Sequence, residues 1–149
     1  MTLHAAAETC ISVSAAKPAT NDATGFSALT FTQVGELETI GDITRRKAAI
    51  TFGNLCTGKT TTLKGGEEGV TVEIGVGLDR DDAGQTLMTA GYDATEPYSF
   101  KITESNGDAV YFRAYVMQDS IRYGGINEVV KGSYSLGMLT ETFVVVNAT

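Results

Sequence analysis

Residues 98–118 read YSFKITESNGDAVYFRAYVMQ and carry the clearest structural pattern in the sequence. On either side of its centre, apolar and polar side chains alternate, which is the pattern of a β-strand with one buried face. Asn106 and Gly107 stand between the two alternating runs, and Asn-Gly in that position favours a tight hairpin turn. The stretch therefore predicts an antiparallel β-hairpin with a long return strand.

Further strands are predicted on both sides of this hairpin. Residues 26–43, FSALTFTQVGELETIGDI, alternate with a shift at Gly35, which predicts two strands joined by a bend or bulge. Other short alternating or apolar runs predict strands over residues 48–52, 70–76, 128–139 and 142–147. With only two prolines in the chain, the pattern is typical of an antiparallel β-sandwich.

One helix is predicted, over about residues 79–91. Asp79 or Asp81 can cap its start, and Gly91 ends it. The same segment begins like a calcium loop, but Ala90 stands where a bidentate glutamate is needed, so we interpret the aspartates as helix caps. The fold class is therefore mainly β, an antiparallel β-sandwich with one flanking α-helix.

The rest of the chain falls into an arm and a loop. Residues 1–24 are rich in Ala, Ser and Thr with little periodicity, which predicts an extended N-terminal arm. Residues 25–149 form a single domain, and residues 44–69 are a long loop within it. The 149-residue length suits one domain with a sizeable core, and no apolar run reaches membrane-spanning length. The N-terminus lacks a secretory signal pattern, so we expect synthesis in the cytoplasm.

The stretch from Gly53 to Thr60 reads GNLCTGKT and satisfies the phosphate-loop pattern G-x-x-x-x-G-K-[ST] at every specified position. That loop must run into a helix, whose N-terminus completes the anion site. Here β-branched Thr60 and its neighbours follow, and Gly65 and Gly66 break any helix. We interpret the match as chance and expect no nucleotide-binding site.

No catalytic, metal or cofactor site is predicted. Cys10 and Cys56 are too few for a disulfide scaffold or a zinc site, although a bridge between the two stays open. His4 lies in the predicted arm, and no paired carboxylates or catalytic triad converge on one centre. We therefore expect that the chain is not an enzyme.

Charge is unevenly distributed along a chain whose net charge is −7. Between residues 45 and 64 all charged residues are basic, whereas residues 67–108 hold ten acidic residues against Arg80 and Lys101. Two solvated faces would explain this split. Alternatively, the basic stretch of one copy meets the acidic stretch of another and orients self-assembly. The basic residues are Arg45, Arg46, Lys47, Lys59 and Lys64.

The return strand of the hairpin is apolar on both faces. Val110, Phe112, Ala114 and Val116 lie on the predicted core face, whereas Tyr111 and Tyr115 lie on the opposite one. An apolar second face indicates a partner, unless the helix of the same chain covers it. Both interpretations stay open.

These elements in this order resemble the tail tube (major tail) proteins of long, non-contractile bacteriophage tails. The residues that carry the resemblance are the strand at 70–76, the acid-capped helix GLDRDDAGQTLMTAG, the hairpin YSFKITESNGDAVYFRAYVMQ, and the strands NEVVKGSYSLGML and TFVVV. The hairpin looks most like that of the lambda-type tube protein. The resemblance covers roughly residues 26–146 and implies a structural virion protein with the tail tube fold.

The resemblance also implies a mode of assembly. Hexameric rings would stack into a tube through which DNA is ejected into the host, without binding specifically to it. The loop 44–69, with its five cations, would reach the neighbouring ring, and the arm would join subunits. Partners would be other copies, the tape measure protein, the tail tip and the tail terminator, assembled in the bacterial cytoplasm and not on a membrane. Candidates for acids that line the lumen are Glu36, Glu38, Glu73 and Glu128.

Two alternatives remain. The same fold could build the tube of a contractile tail or of a secretion system. A β-sandwich that binds a ligand is a different class, which the absence of tryptophan disfavours and the six tyrosines keep open.

Overall fold

The computed structural model describes residues 3–147, apart from the side chain of Thr140. The first two residues of the predicted arm and the last two of the predicted domain lie outside the described residues. Within residues 3–147 there are nine strands, and every strand pair is antiparallel, so the predicted mainly β fold is confirmed. In chain order the elements are β1 Cys10–Ser14, α1 Ala23–Ser27, β2 Thr32–Gln33, β3 Leu37–Ile40, β4 Arg46–Asn54, β5 Lys59–Glu68, β6 Val70–Gly77, α2 Ala83–Asp93, β7 Tyr98–Thr103, β8 Ala109–Arg122 and β9 Lys131–Val146.

Seven of the strands form one sheet that curls on itself. Their order is β2-β1-β7-β8-β9-β6-β3, and β4 and β5 form a separate hairpin. The two edge strands, β2 and β3, follow each other in the chain, and only residues 34–36 link them. The four Cα–Cα steps from Gln33 to Leu37 span at most about 15 Å. The two edges of the sheet therefore lie close together, and the sheet encloses a core as the two layers of a sandwich do.

The core is built from the alternating strands. Val72, Ile74 and Val76 of β6 are each at most 1% exposed, as the pattern of residues 70–76 predicts. Phe100 of β7 and Phe112 of β8 face the same interior, with ring centroids 5.5 Å apart. Other fully or nearly fully buried side chains of this core are Ile11, Val13, Val34, Met88, Leu136 and Met138.

The start of α2 holds the two edges of the sheet together. The carboxylate of Asp82 accepts hydrogen bonds from the backbone N–H of Gln85 (2.9 Å), which caps the helix, and of Gly35 (3.0 Å). The buried Gln85 amide donates to the carbonyl oxygens of Gly35 (3.0 Å) and Gly77 (2.9 Å). Its oxygen accepts from the N–H of Asp79 (3.0 Å). These bonds join α2, the end of β6 and the link between β2 and β3 at one corner, which we call the closure corner.

Gly84 lets α2 pack directly against that link. A Cβ on Gly84 would lie 2.3 Å from the carbonyl oxygen of Gln33 and 2.6 Å from the Cα of Val34. Both are backbone atoms, so they cannot move aside as the end of a flexible side chain can. A larger residue at this position would force the helix away from the link.

The helix and its cap differ in detail from the sequence expectation. α2 covers Ala83–Asp93 rather than about 79–91, and Asp82 caps it instead of Asp79 or Asp81. Asp79 lies in the preceding turn, where its side chain accepts from the N–H of Asp81 (3.0 Å). The pattern located the helix, but the sequence has three neighbouring aspartates and any of them could have been the cap.

The N-terminal segment is more than an arm. β1 lies inside the sheet, paired with β2 on one side and with β7 on the other. Ile11 and Val13 of this strand are fully buried. The expectation of an extended arm over residues 1–24 is therefore wrong for β1, because its two apolar side chains fill part of the core.

Four predicted strands of the main sheet change. Most of residues 26–31 belongs to α1 and the coil after it, so the first strand of that region is only β2. The strands predicted over 128–139 and 142–147 are one strand, β9, which begins at Lys131. β8 continues to Arg122, beyond the predicted end at residue 118.

The predicted long loop, residues 44–69, is a regular hairpin for most of its length. β4 and β5 pair from Arg46 opposite Glu68 to Asn54 opposite Lys59. Every residue from 51 to 64 is exposed, so this hairpin projects from the domain. The correction has a simple cause, because consecutive β-branched threonines that disfavour a helix also favour a strand.

Substitution of Gly84 by Ala tests the closure corner. We expect the free energy of unfolding to fall by about 1–3 kcal/mol, the usual cost of overpacking. Helix propensity alone would give the opposite sign, because alanine stabilises a helix by about 1 kcal/mol relative to glycine. Gly66→Ala is the control, because nothing lies within 4 Å of its added Cβ. Urea denaturation measures both, and a Gly84→Ala variant as stable as the parent would contradict the packing argument.

A shortened hairpin tests whether β4–β5 is independent of the core. Deletion of residues 50–53 and 60–63 removes four cross-strand pairs and keeps the turn 54–59. Because four residues leave each strand, the remaining side chains stay on the same faces of the hairpin. Because the removed side chains are exposed, we expect the free energy of unfolding to stay within about 1 kcal/mol of the parent. Thermal unfolding followed by circular dichroism measures this short-hairpin variant, and loss of cooperative unfolding would contradict the expectation.

Candidate assembly surfaces

The tip of the β4–β5 hairpin is fixed by its own hydrogen bonds. The side-chain oxygen of Asn54 accepts from the N–H groups of Cys56 (3.0 Å) and Thr57 (3.3 Å). Gly58 has φ +69°, and its N–H donates to the Asn54 carbonyl (2.9 Å). The tip is therefore a defined turn between two strands.

This turn and the strand residues beside it account for the whole phosphate-loop match. Gly53, the first glycine of the match, lies in β4 directly opposite Thr60, the last residue of the match, in β5. A phosphate loop needs both glycines in one curled loop and a helix after it. Here Gly53 belongs to a strand ladder, Gly58 belongs to the turn, and β5 follows in place of a helix. The geometry of the stretch from Gly53 to Thr60 is thus that of a hairpin end and not of a phosphate cradle.

One face of this hairpin is apolar and uncovered. Ile50 lies opposite Leu63 and Phe52 opposite Thr61, so their side chains share a face. Ile50, Phe52 and Leu63 are 51%, 62% and 55% exposed, and Leu55 at the tip is 99% exposed. We call the four residues Ile50, Phe52, Leu55 and Leu63 the apolar stripe. The alternation of residues 48–52 predicted a strand here. It did not show that the apolar face of this strand is exposed.

Two of the five predicted contact cations already have partners at the base of the hairpin. The guanidinium carbon of Arg45 lies 4.6 Å from the centre of the Phe143 ring. The Nε of Arg46 lies 2.8 Å from a carboxylate oxygen of Glu68. The Arg45 contact joins the hairpin base to β9, and the Arg46 contact joins the two strands of the hairpin, so both side chains already have partners in the same chain.

The other three cations lie farther along the hairpin. Lys47 stands opposite Glu67, and Lys64 stands opposite Ala49. Lys59 is the first residue of β5 and lies at the tip. The structure therefore divides the predicted set, and Lys59 and Lys64 are the cations on the projecting part.

Three of the four candidate lumen acids come together at one recess. Glu36, Glu38 and Glu128 line it together with Arg122 and Lys131. Lys131 already lies 3.1 Å from a carboxylate oxygen of Glu38. The recess therefore mixes both signs of charge. The sequence had indicated that Glu36 and Glu128 lie on strands. Both lie outside the strands, because the chain bends at these positions.

Glu73 lies apart from that recess, on the outward face of β6. Both of its carboxylate oxygens lie within 2.8 Å of the Ser135 hydroxyl, which donates to them. Among the four candidates, Glu38 and Glu73 lie on strands.

The second face of β8 is covered at one end and open at the other. Tyr111 is only 6% exposed, because the Phe26 ring of α1 stacks on it at 5.4 Å and Phe31 lies at 6.0 Å. The cover is therefore α1 and the coil after it, whereas the sequence had pointed to the 79–91 helix. Beyond this cover, Tyr115 and Met117 are 39% and 62% exposed.

A capping bond holds α1 in place over Tyr111. Asp22 accepts a hydrogen bond from the N–H of Gly25 (2.8 Å) and another from the hydroxyl of Thr20 (2.7 Å). The Gly25 bond and then the Thr20 bond lower the pKa of Asp22, because both stabilise the carboxylate form.

The same end of β8 has an open backbone edge. β7 pairs with β8 only as far as Ala114, while β9 follows β8 to Arg122. From Tyr115 to Arg122, within the described residues, no strand pairs with the second edge of β8. An unpaired edge beside exposed apolar side chains is suited to pair with another chain.

The cysteines and acids are not grouped as metal ligands in the described part of the chain. Cys10 is half-buried and Cys56 is exposed at the hairpin tip, and both are free thiols. Across residues 3–147, no three His, Cys, Asp or Glu side chains are grouped to hold a metal ion. None of the helices in that range is long and apolar enough to cross a membrane.

Comparison with known proteins places the fold. No protein-family model matches the chain, and no curated protein is significantly similar to it in sequence. The SPP1 tail tube superposes with a TM-score of 0.65 at 16% identity, over 94% of this chain and 77% of the other. The sheath/tube terminator of the PVC extracellular contractile injection system gives 0.66 at 8% identity, over 93% and 94%. The tail of an empty GTA particle, determined with C6 symmetry, gives 0.64 at 10% identity, over 99% and 96%.

At these identities, the likeness establishes the fold alone. The chain has the tail tube fold.

Proposed function

We propose that this chain is the tube subunit of a long, non-contractile phage tail of lambda type. Subunits form hexameric rings, the rings stack, and the channel carries DNA out of the virion during ejection. The observation that carries the proposal is the apolar stripe on a hairpin that projects from a closed domain. Leu55 of that stripe is 99% exposed at the tip. A subunit that polymerises needs such a surface, and an isolated domain does not.

Two different contacts are needed for a tube. A ring needs a side-to-side contact that closes, and stacking needs a top-to-bottom contact that does not close. The open edge of β8 with Tyr115 and Met117 is suited to the ring contact, because backbone pairing with a neighbour removes an exposed edge. The hairpin β4–β5 is suited to the stacking contact, because it projects beyond the domain that closes the ring.

The charge of the chain supports a channel that does not retain DNA. The net charge is −7, and phosphate contacts require lysine and arginine. An acidic lumen repels the phosphate backbone and lets it pass. Glu38 and Glu73 are strand residues that suit this role, and Glu36 and Glu128 extend the same proposal to the recess beside Lys131.

Other parts of the proposal come from the lambda-type resemblance. Further partners are the tape measure protein, the tail tip and the tail terminator. Assembly takes place in the cytoplasm of the bacterial host, and the subunit acts without catalysis or cofactor.

The tube of a contractile tail or of a secretion system is the second candidate. The observation that favours it is that the PVC terminator superposes as well as the SPP1 tail tube does, with TM-scores of 0.66 and 0.65. The hairpin has the same stacking role in either machine.

Negative-stain electron microscopy of the purified, concentrated protein tests the proposal. We expect hollow tubes or stacked rings, with shorter tubes at high salt because screening weakens contacts between charged side chains. The short-hairpin variant should fold and form at most single rings, because it lacks Ile50, Phe52 and Leu63.

Thr62→Ser is the matched control for the hairpin, because it alters the polar face and leaves the apolar stripe intact. It should form tubes like the parent. Tubes of normal length from the short-hairpin variant would contradict the stacking role. Monomers of the parent under every condition would instead favour a β-sandwich that binds a ligand.

A further inference from the structure

A groove of about 460 Å³ lies between α2 and the adjoining parts of β8 and β9. Its apolar lining comes from Leu78, Ala90, Ile121 and Tyr134. Half of the Ile121 surface remains exposed, so nothing in the described chain fills the groove. An open apolar groove of this size is suited to receive an apolar side chain.

Acidic side chains surround this apolar lining. Asp79, Asp93 and Asp119 lie at the groove, with Arg80 as the one basic residue among those that line it. Neither Asp93 nor Asp119 forms an ion pair with a described cation. The groove therefore carries negative charge that the same chain does not neutralise.

Asp93 lies at a position where its own helix disfavours a negative charge. It is the last residue of α2, where the partial charge of the helix is negative and an acidic side chain is unfavourable. A lysine at this position would stabilise the isolated helix. An aspartate there is consistent with a cation that comes from outside the chain.

The tip of the β4–β5 hairpin has the complementary chemistry. Leu55 projects fully into solvent, and the first residue of β5 after the turn is Lys59. Hydrogen bonds of Asn54 and Gly58 hold the turn, so Leu55 and Lys59 belong to a preformed tip. Binding such a tip costs less conformational entropy than binding a flexible loop.

We propose that the groove between α2 and β8 receives the hairpin tip of another copy of this chain in the adjacent ring. Leu55 enters the apolar groove, and Lys59 lies against Asp93 and Asp119. This inference rests on the proposed tube function and names the surface that the stacking hairpin contacts. Because donor and acceptor surfaces differ, the contact is heterologous and propagates along the tube.

The recess lined by Glu36, Glu38 and Glu128 is a poorer acceptor. It holds its own cations, Arg122 and Lys131, and Lys131 already pairs with Glu38. An incoming lysine would meet like charge there. Of these two surfaces, the groove beside α2 is the one in which apolar surface and unpaired acids coincide.

Disulfide trapping tests the contact directly, because the hairpin tip carries a natural exposed thiol, Cys56. Cys10→Ser removes the other thiol, and Ala90→Cys places a thiol in the groove. A disulfide forms only when the two Cα atoms lie within about 7 Å, so trapping is specific. Oxidised tubes should give a ladder of dimers, trimers and higher species on a non-reducing gel.

Tyr92→Cys in the same Cys10→Ser background is the matched control. It lies on the same helix and is half exposed, but it does not line the groove. We expect about ten-fold less cross-linking than with Ala90→Cys, because the thiols are beyond disulfide reach. Equal ladders for both variants, or no ladder from tubes of Ala90→Cys, would overturn the assignment of the groove.

A charge exchange gives an independent readout. Lys59→Asp and Asp93→Lys should each raise the protein concentration needed for tube formation about ten-fold, because like charges then meet. The double variant should return to within about three-fold of the parent. Asp93→Lys should not lower the thermal unfolding temperature, since a cation suits the helix C-terminus.

The outcomes separate this inference from the proposed function. Tubes without the ladder and without the charge rescue would overturn the groove as the acceptor and leave the tube function standing. A parent protein that forms neither rings nor tubes would overturn the proposed function, and this inference with it.

Discussion

The hydrogen bonds of Asp82 and Gln85 at the start of α2 hold the two edges of the sheet together. They join the link between the two edge strands to the end of β6, and both side chains are satisfied by backbone groups at 2.9–3.0 Å. Without these bonds, the buried Gln85 amide would lack hydrogen-bond partners. An unsatisfied buried amide costs more free energy than the bonds themselves contribute. With the corner closed, the link between the two edge strands is held against the end of β6.

Two features of the chain are not packed against the core of this closed sheet. The apolar stripe of the β4–β5 hairpin and the open edge of β8 add little to the folded domain, because neither is packed against the core. Folding stability and the proposed assembly therefore rest on different residues. Gly84 and Gln85 act on folding, whereas Phe52, Leu55 and Lys59 are exposed and carry the proposed contacts between copies. On the proposed function, the subunit folds first and polymerises afterwards.

The alternation of apolar and polar residues, together with turn residues, predicted the strands and turns that form from neighbouring residues. The alternation of residues 70–76 and the Asn-Gly turn at 106–107 predicted β6 and the β7–β8 hairpin. β1 was missed because five alternating residues between polar neighbours carry a weak signal, and its pairing with β7 joins residues about ninety positions apart. The closure corner was beyond reach, because nothing near Gln85 in the sequence reveals which carbonyls it meets. The five hairpin cations were identified together, yet only the fold shows that Arg45 and Arg46 contact their own chain.

A helical cryo-electron microscopy reconstruction of assembled tubes tests whether the projecting hairpin joins successive rings. We expect density for β4–β5 to cross the ring boundary and to end in the groove beside α2 of the next ring, with Leu55 inside it. Hairpins that point into solvent or into the channel, in tubes whose rings are joined by other segments, would contradict the proposed stacking role of β4–β5.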